Sequence, residues 1–110
     1  MDRRFLTDFE LMIMLALLRV RERAYGVPIA REIEETAGRP VTLAAVYLAL
    51  DRLQENRLVS SELGDPTPER GGRAKKFFRA TPAGLRAVRN TQRAFVALWQ
   101  GIPELRAGVV

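Results

Sequence analysis

The chain has 110 residues, contains neither cysteine nor histidine, and carries 18 lysine and arginine residues against 13 aspartate and glutamate residues, for a formal net charge of +5. This length fits one domain, and the missing residue types exclude disulfide cross-links, thiol nucleophiles, imidazole bases and the usual zinc ligand sets. The excess positive charge is concentrated in residues 66–110, which hold nine basic and two acidic residues, and such asymmetry is typical of a protein that binds a polyanion.

The sequence contains no pattern that indicates catalysis. The carboxylates of Asp51, Glu55 and Glu62 are scattered and form no recognisable acid–base pair, and the segment 64–72 lacks the Lys-Ser/Thr ending of a phosphate-binding loop. The N-terminal residues lack the order of a signal peptide, and the longest apolar run, Leu11 to Leu18, is too short to span a bilayer. We therefore expect a cytoplasmic protein that is not an enzyme, binds no metal or cofactor and has no membrane contact.

The first predicted helix begins after Thr7, whose side chain and that of Glu10 have the spacing of a capping box. The helix continues to about Arg19 through the run Leu11 to Leu18, which is apolar on every side rather than along one stripe. One small domain covers only one face of such a helix well. The pattern therefore favours a second subunit on the other face, and the alternative is a single central helix in a monomer.

Two further helices are predicted on either side of a short turn. The second helix spans residues 26–37, with Pro28 in its first turn and Gly38 after its end. Thr42 caps the third helix, residues 42–56, which has one buried stripe. The stripe consists of Leu43, Val46, Leu50 and Leu53. Two helices joined by such a turn are typical of a helix-turn-helix.

The segment after the third helix predicts a β-hairpin. Residues 58–63 and 73–80 have the composition of strands, and the intervening segment, residues 64–72, is rich in glycine and proline. Phe77 and Phe78 are adjacent and therefore point to opposite faces of the second strand. We expect one of the two rings in the core and the other over the third helix.

Thr81 and the proline after it predict the start of a last helix, which runs to about Ile102. Apolar and amide side chains recur along it at spacings of three and four, as in a coiled-coil seam. The seam consists of Leu85, Val88, Gln92, Phe95, Trp99 and Ile102. Because such a seam needs an apolar surface, it predicts a homodimer in which the first and last helices interlock. On a different side, Arg86, Arg89 and Arg93 either are solvated or extend the positively charged surface.

The order of these elements predicts a mainly α (α+β) fold, a winged helix-turn-helix with a two-stranded wing and a long C-terminal dimerisation helix. We assign residues 1–80 to the DNA-binding domain with its N-terminal helix, residues 81–103 to the dimerisation helix of the same compact domain, and residues 104–110 to a tail. A domain of this kind binds double-stranded DNA by placing the second helix of the helix-turn-helix in the major groove.

The third helix carries the residues that would face DNA bases. Thr42 and Tyr47 can hydrogen-bond to bases or phosphates, and Ala45 and Leu48 can contact a thymine methyl group. Arg52 lies further along the helix and is better placed for the phosphate backbone. Two alternatives remain open: the Tyr47 ring packs half-buried against the wing, and Arg52 forms an ion pair with the glutamate three positions on.

The hairpin carries the densest positive charge in the sequence. Its basic residues lie within ten positions of one another; they are Arg70, Arg73, Lys75, Lys76 and Arg79. We expect them to attract DNA phosphates, with the Gly71-Gly72 pair allowing the tip to enter a minor groove. The alternatives are solvated charge that keeps an edge strand soluble, and a winged-helix protein-interaction module that docks an acidic partner through its basic wing.

Several segments of the chain have a recognisable order and spacing. They are Tyr25-Gly26 at the start of the second helix, Val46 to Leu53 in the third, and Gly71 to Arg73, Lys76 to Thr81 and Gly84 around the wing. On these residues the sequence resembles the PadR family of bacterial transcriptional regulators, specifically the short type with a single C-terminal dimerisation helix, over about residues 6–102. The resemblance implies a homodimer that binds operator DNA, often as a repressor, with a site for planar aromatic effectors at the dimer contact of some members.

The resemblance also implies roles for individual residues. The recognition helix contributes Thr42, Ala45, Tyr47 and Leu48, the wing contributes Arg73, Lys75 and Lys76, and the effector cleft is formed by Met12, Ala16, Phe95 and Trp99. Two positions depart from the family. Arg57 stands where a glycine usually ends the third helix, so we expect Asn56 to take the left-handed cap, and Phe78 stands where a tyrosine is usual.

Overall fold

The structure, a computed structural model, describes residues 5–64 and 75–106. These residues form four α-helices and a two-stranded antiparallel sheet. The elements are α1 (Asp8–Val20), α2 (Gly26–Glu32), α3 (Leu43–Glu55), β1 (Val59–Leu63), β2 (Lys76–Ala80) and α4 (Pro82–Trp99). A π-helical turn, Ile33–Ala37, continues α2, and short 3₁₀ turns occupy Arg21–Arg23 and Pro103–Leu105. This order is the predicted winged helix-turn-helix.

The predicted helix starts are confirmed by their capping hydrogen bonds. At α1 the Glu10 N–H donates to Thr7 Oγ1 at 3.1 Å, and the Thr7 N–H donates to Glu10 Oε1 at 2.9 Å, which completes the capping box. Thr42 before α3 and Thr81 before α4 each accept from the backbone N–H three residues further on, at 3.1 and 3.0 Å. Three threonine hydroxyls thus fix where three of the helices begin.

The end of α3 differs from the prediction. Asn56 has a φ of −86°, and Arg57 takes the left-handed conformation with a φ of 62°. The Leu58 N–H donates to the Leu53 carbonyl at 2.8 Å, and the Arg57 N–H donates to the Gln54 carbonyl at 2.9 Å. This is the Schellman pattern, in which the left-handed residue is the one after the cap, so the expectation for Asn56 was wrong by one position.

The last helix is three residues shorter than predicted. It ends at Trp99 rather than at about Ile102, and Gly101 has a φ of 79°. A glycine tolerates this conformation without steric cost and lets the chain leave the helix there. Ile102 therefore lies outside the helical seam in which the sequence placed it.

The two wing strands pair antiparallel, with Val59 opposite Ala80 and Ser61 opposite Phe78. On the other edge of β2, the Phe78 N–H donates to the Ala24 carbonyl at 2.8 Å, so the segment before α2 covers part of that edge. Phe78 is the buried ring of the aromatic pair. Because the Ala24 segment lies beside β2, Phe77 contacts Tyr25 edge to face, with ring centroids 5.5 Å apart, rather than lying over α3 as expected.

The core is built around α1, which packs against α2, α3, β2 and α4. From α3, the predicted side chains of Val46, Leu50 and Leu53 are fully buried. Leu43 is 42% exposed, contrary to the prediction, because it is the first residue of α3 and extends past the core, while Ala49 is buried. The described helices include none that is both long and apolar enough for a membrane span.

Only the first half of α4 docks onto the rest of the domain. Its buried residues are Gly84, Ala87 and Thr91. The Thr91 hydroxyl accepts from the Leu6 N–H at 2.9 Å and donates to the Ala87 carbonyl at 2.8 Å, which ties α4 to the residues before α1. From residue 92 to residue 99 every side chain except that of Ala94 is exposed. The second half of α4 therefore extends away from the core.

Candidate nucleic-acid interface

The predicted DNA-contacting residues of α3 lie on its outer surface. Thr42 and Arg52 are exposed, Ala45 is partly exposed, and Leu48 is 59% exposed. The spacings of three and four place Ala45, Leu48 and Arg52 on one side of the helix. This side is distinct from the buried one, so these side chains are available to a ligand outside the protein.

Tyr47 lies at the border of this surface opposite to Arg52, and its ring packs against Gly26. A Cβ atom at Gly26 would lie 2.4–2.6 Å from atoms of the Tyr47 ring, including its hydroxyl oxygen. The sequence left open that the Tyr47 ring packs half-buried against the wing. The ring is half-buried, but it packs against the first residue of α2. No residue pattern in the sequence indicates that Gly26 determines the position of the Tyr47 ring.

The N-terminal half of α3 has a favourable electrostatic environment for an anion. Its first turn contains no acidic residue, and the N-terminal end of a helix carries the positive end of its dipole. The acidic residues of α3, Asp51 and Glu55, lie in its C-terminal half. Within the described residues no ion pair joins Arg52 to Glu55, and the Arg52 side chain is exposed.

The wing lysines are held by aromatic rings on opposite faces of β2. Lys75 Nζ lies 4.7 Å from the centroid of the Tyr25 ring, and Lys76 Nζ lies 5.6 Å from that of Phe78. Such cation–π contacts contribute about 0.5–1 kcal/mol each at exposed sites. Arg79 and Glu62 approach to 3.8 Å, but both side chains are largely exposed, so this ion pair adds little stability.

Tyr25 connects these parts of the surface. It contacts Lys75 and Phe77 of the wing and directly precedes Gly26, on which Tyr47 is seated. The adjacent residues Tyr25 and Gly26 thus contact Lys75 of the wing and Tyr47 of α3, respectively. Arg70 and Arg73, which the sequence analysis assigned to the wing cluster, lie outside the described residues.

The turn between α2 and α3 is anchored to α1. Arg39 Nη1 lies 3.4 Å from Asp8 Oδ2, and the Arg39 guanidinium carbon lies 5.2 Å from the centroid of the Phe9 ring. The Val41 N–H donates to Glu34 Oε2 at 3.3 Å, which fixes the chain just before α3. These contacts orient α3 relative to the central helix.

An ion pair also ties α2 to α1. Arg19 Nε donates to Glu32 Oε2 at 2.6 Å, and the Thr36 hydroxyl donates to the same oxygen at 2.7 Å. Both hydrogen bonds stabilise the charged carboxylate, so they hold the pKa of Glu32 below its ordinary value. The last residue of α2 is therefore fixed to the last turn of α1.

A groove of about 510 Å³ separates the projecting half of α4 from α1. Of the residues assigned to the effector cleft, Phe95 and Trp99 line this groove, and they are 52% and 58% exposed. The α1 side is lined by Leu11 and Leu15, which the sequence analysis did not assign to it. Met12 and Ala16 lie elsewhere: the Met12 sulfur is 3.7 Å from Arg39 Nη1, and Ala16 is buried.

Comparisons with known proteins agree with this architecture. A PadR-family transcriptional regulator from Eggerthella lenta is 28% identical, with a TM-score of 0.68 over 88% of this chain and 82% of its own. RosR of H. salinarum is 28% identical, with a TM-score of 0.66 over 96% and 87%, and a PadR-like transcription factor from Bacteroides fragilis is 25% identical, with a TM-score of 0.67 over 82% of each chain. Comparison with curated proteins gives no match.

The sequence profile of the transcriptional regulator PadR-like family matches residues 14–90. This range includes the whole helix-turn-helix, both wing strands and the docked part of α4. Members of this family are transcriptional regulators rather than enzymes. The chain therefore belongs to the PadR-like family of transcriptional regulators.

Proposed function

We propose that the protein is a homodimeric repressor that binds operator DNA through α3 and the wing and releases it when a planar aromatic effector binds. The observation that carries this proposal is the exposed N-terminal half of α3, which has no acidic residue in its first turn and is linked through Tyr25 and Gly26 to one wing lysine, Lys75. Specific binding to duplex DNA needs an element that fits the major groove and cations that meet the flanking phosphates. This surface offers both.

The proposed base contacts come from one side of α3. Thr42 presents its hydroxyl at the helix N-terminus, and Ala45 and Leu48 present apolar groups that fit a thymine methyl group. Tyr47 and Arg52 lie at the borders of this surface, where they fit the sugar–phosphate backbone. Phosphate contacts of this kind fix the register of the helix in the groove.

The proposed wing contacts are to phosphates. Lys75, Lys76 and Arg73 carry the charges, and the ring of Tyr25 orients the ammonium group of Lys75. Each phosphate that a cation neutralises releases condensed counterions, so binding through the wing depends on salt. The wing is therefore expected to supply affinity, and α3 is expected to supply sequence preference.

The proposed dimer uses α1 and the segment 81–103. Along the projecting half of α4, Phe95, Val96 and Trp99 are between 46% and 58% exposed, and Leu15 of α1 is 44% exposed beside them. A contiguous apolar surface of this kind marks an interaction site. A second copy supplies the same surface in return, as a two-fold dimer requires. Residues 1–80 then form the DNA-binding part of each subunit.

The proposed effector site is the groove between α1 and α4. Its lining by Leu11, Leu15, Phe95 and Trp99 is mostly apolar and includes two aromatic rings, which suits stacking with a flat aromatic compound. Quenching of the fluorescence of Trp99, the one tryptophan of the chain, by such compounds tests this part of the proposal. A flat titration with a panel of planar aromatics would contradict it.

The central experiment selects bound sequences from random duplex DNA and then measures the affinity for the selected site at several salt concentrations. We expect a two-fold repeated site, because the two α3 helices of a symmetric dimer read equivalent half-sites. We also expect the logarithm of the affinity to fall linearly with the logarithm of the salt concentration. Binding of an acidic protein in place of DNA, with no selected site, would instead indicate a protein-interaction module.

A further inference from the structure

The helix α4 has a positively charged side that the proposed function does not use. Arg86, Arg89 and Arg93 are all exposed. Each of them follows a buried residue of α4 by two positions, since the buried residues are Gly84, Ala87 and Thr91. Two positions correspond to about 200° around a helix, so these three side chains, the arginine row, point away from the side that docks onto the domain.

The arginine row is remote from the surface of α3. The helix α1 packs against α3 on one side and against α4 on another, and the buried side of α4 faces α1 through the Thr91 hydrogen bond to Leu6. The arginine row lies on the far side of α4. A duplex held by α3 and the wing therefore leaves the row of the same subunit exposed to solvent.

Among the residues that the structure describes, no acidic group pairs with this charge. From Arg70 to Pro103 the sequence contains no aspartate or glutamate, and within the described residues none of the three arginines takes part in an ion pair. Arg93 Nη2 donates to Asn90 Oδ1 at 2.8 Å, which orients its guanidinium without neutralising it. The row therefore presents three positive charges to an external anion.

The surroundings of the row fit a phosphate backbone better than a protein. Protein interfaces depend on central aromatic or large apolar anchors, whereas Asn90 and Ala97 beside the row are polar or small, and the one large apolar neighbour, Val96, lies at its border toward Phe95 and Trp99. A phosphate backbone requires only cations and hydrogen-bond donors. The row is about 10 Å long at 1.5 Å per residue, which corresponds to about three phosphates at 3.4 Å each along one strand.

We propose that Arg86, Arg89 and Arg93 bind the phosphate backbone of a second DNA duplex, so that the protein bridges two DNA segments. This inference rests on the proposed function, because the first duplex occupies α3 and the wing. The second contact is independent of sequence, since it reads no base edges. It also depends strongly on salt: three phosphate contacts weaken binding about 40-fold between about 50 and about 200 mM salt.

The test is a bridging assay with the full chain. An operator duplex is immobilised, the protein is added, and the capture of a fluorescent duplex of unrelated sequence is measured. The test variant carries Arg86→Gln, Arg89→Gln and Arg93→Gln. The charge-matched control carries Arg21→Gln, Arg23→Gln and Arg106→Gln at three other exposed positions. Circular dichroism checks that both variants keep the helix content of the wild type.

We expect the wild type and the control to capture the second duplex and the test variant to retain less than about a tenth of that capture, while both variants bind the operator duplex equally. Capture that persists in the test variant, or equal loss in both variants, would overturn the proposal. So would selective loss of operator binding in the test variant, since the row would then belong to the first contact. A wild type that binds the operator but captures no second duplex refutes bridging alone, and one that does not bind the operator refutes the proposed function as well.

Discussion

At two glycines of this protein a Cβ atom would clash, once with backbone and once with a side chain. At Gly84 a Cβ atom would lie 2.0 Å from the Leu58 carbonyl oxygen, which belongs to the backbone and cannot turn away. At Gly26 it would meet the Tyr47 ring, which can rotate about its own side-chain bonds. The first glycine therefore controls stability, and the second controls the position of a proposed DNA contact.

We expect Gly84→Ala to destabilise the fold by about 3 kcal/mol, at the upper end of overpacking effects, because α4 must shift away from the Leu58 backbone. Urea denaturation measures the change through the midpoint at constant slope. Ala97→Gly, in the exposed part of α4, is the control for helix propensity and should cost about 1 kcal/mol. A smaller effect of Gly84→Ala than of this control would mean that α4 docks less closely than described.

We expect Gly26→Ala to weaken operator binding about fivefold while changing stability by less than about 1 kcal/mol. The added methyl group displaces the Tyr47 ring, and one hydrogen bond or phosphate contact is worth about 1 kcal/mol. The measurement pairs a DNA titration with urea denaturation, and Tyr47→Phe separates the hydroxyl from the ring. A large loss of stability with unchanged DNA affinity would contradict this assignment.

At the scale of elements, most starts were predictable from the sequence and some ends were not. Thr7, Thr42 and Thr81 are local signals, because the hydroxyl and the N–H that it accepts are three residues apart. The end of α3 required a left-handed residue, and residue preference alone favoured Asn56 over Arg57. The hydrogen bond from the Leu58 N–H to the Leu53 carbonyl determines which residue takes the left-handed conformation. Residue preferences do not reveal this bond.

We expect Arg57→Gly to stabilise the protein by about 1 kcal/mol. Arg57 has a φ of 62°, and a left-handed conformation costs a residue with a Cβ atom about 1–2 kcal/mol that glycine avoids. Asn56→Gly is the matched control, because Asn56 has a negative φ and gains nothing from the change. A higher melting temperature for Asn56→Gly than for Arg57→Gly would show that the cap lies one residue earlier.

We expect Thr91→Val to cost about 1–3 kcal/mol. The change keeps the shape of the side chain but leaves the buried Leu6 N–H without its acceptor. Thr91→Ser, which keeps the hydroxyl, should lose less, and thermal unfolding compares the two. Equal losses for valine and serine would show that packing at this position matters more than the hydrogen bond.

At the scale of the whole molecule, the sequence predicted which helices carry apolar surface but not which residues meet across the groove. Phe95 and Trp99 line the groove between α1 and α4 together with Leu11 and Leu15, whereas Met12 and Ala16 lie elsewhere. The reason is that α1 is apolar all round, so its periodicity does not reveal which side packs inward. Only the docking of the other helices onto α1 decides this.

We expect the pair Leu15→Ser and Trp99→Ser to convert the proposed dimer into a monomer. Both side chains belong to the exposed apolar surface, so their loss removes interface area without opening the core. Operator affinity should then fall at least about a hundredfold, because a monomer binds one half-site without the gain from linkage. Sedimentation equilibrium and a DNA titration test both parts, and a variant that remains dimeric would place the interface elsewhere.

Residues 6–9, just before and within the first turn of α1, contact both α4 and the turn that leads to α3. The Leu6 amide is held by Thr91 of α4, while Asp8 and Phe9 hold Arg39 in the turn that leads to α3. A displacement of α4 along α1 would therefore either break the hydrogen bond between Leu6 and Thr91 or strain the contacts of Asp8 and Phe9 with Arg39. These residues thus connect α4 to the turn before α3, the helix that we propose contacts DNA.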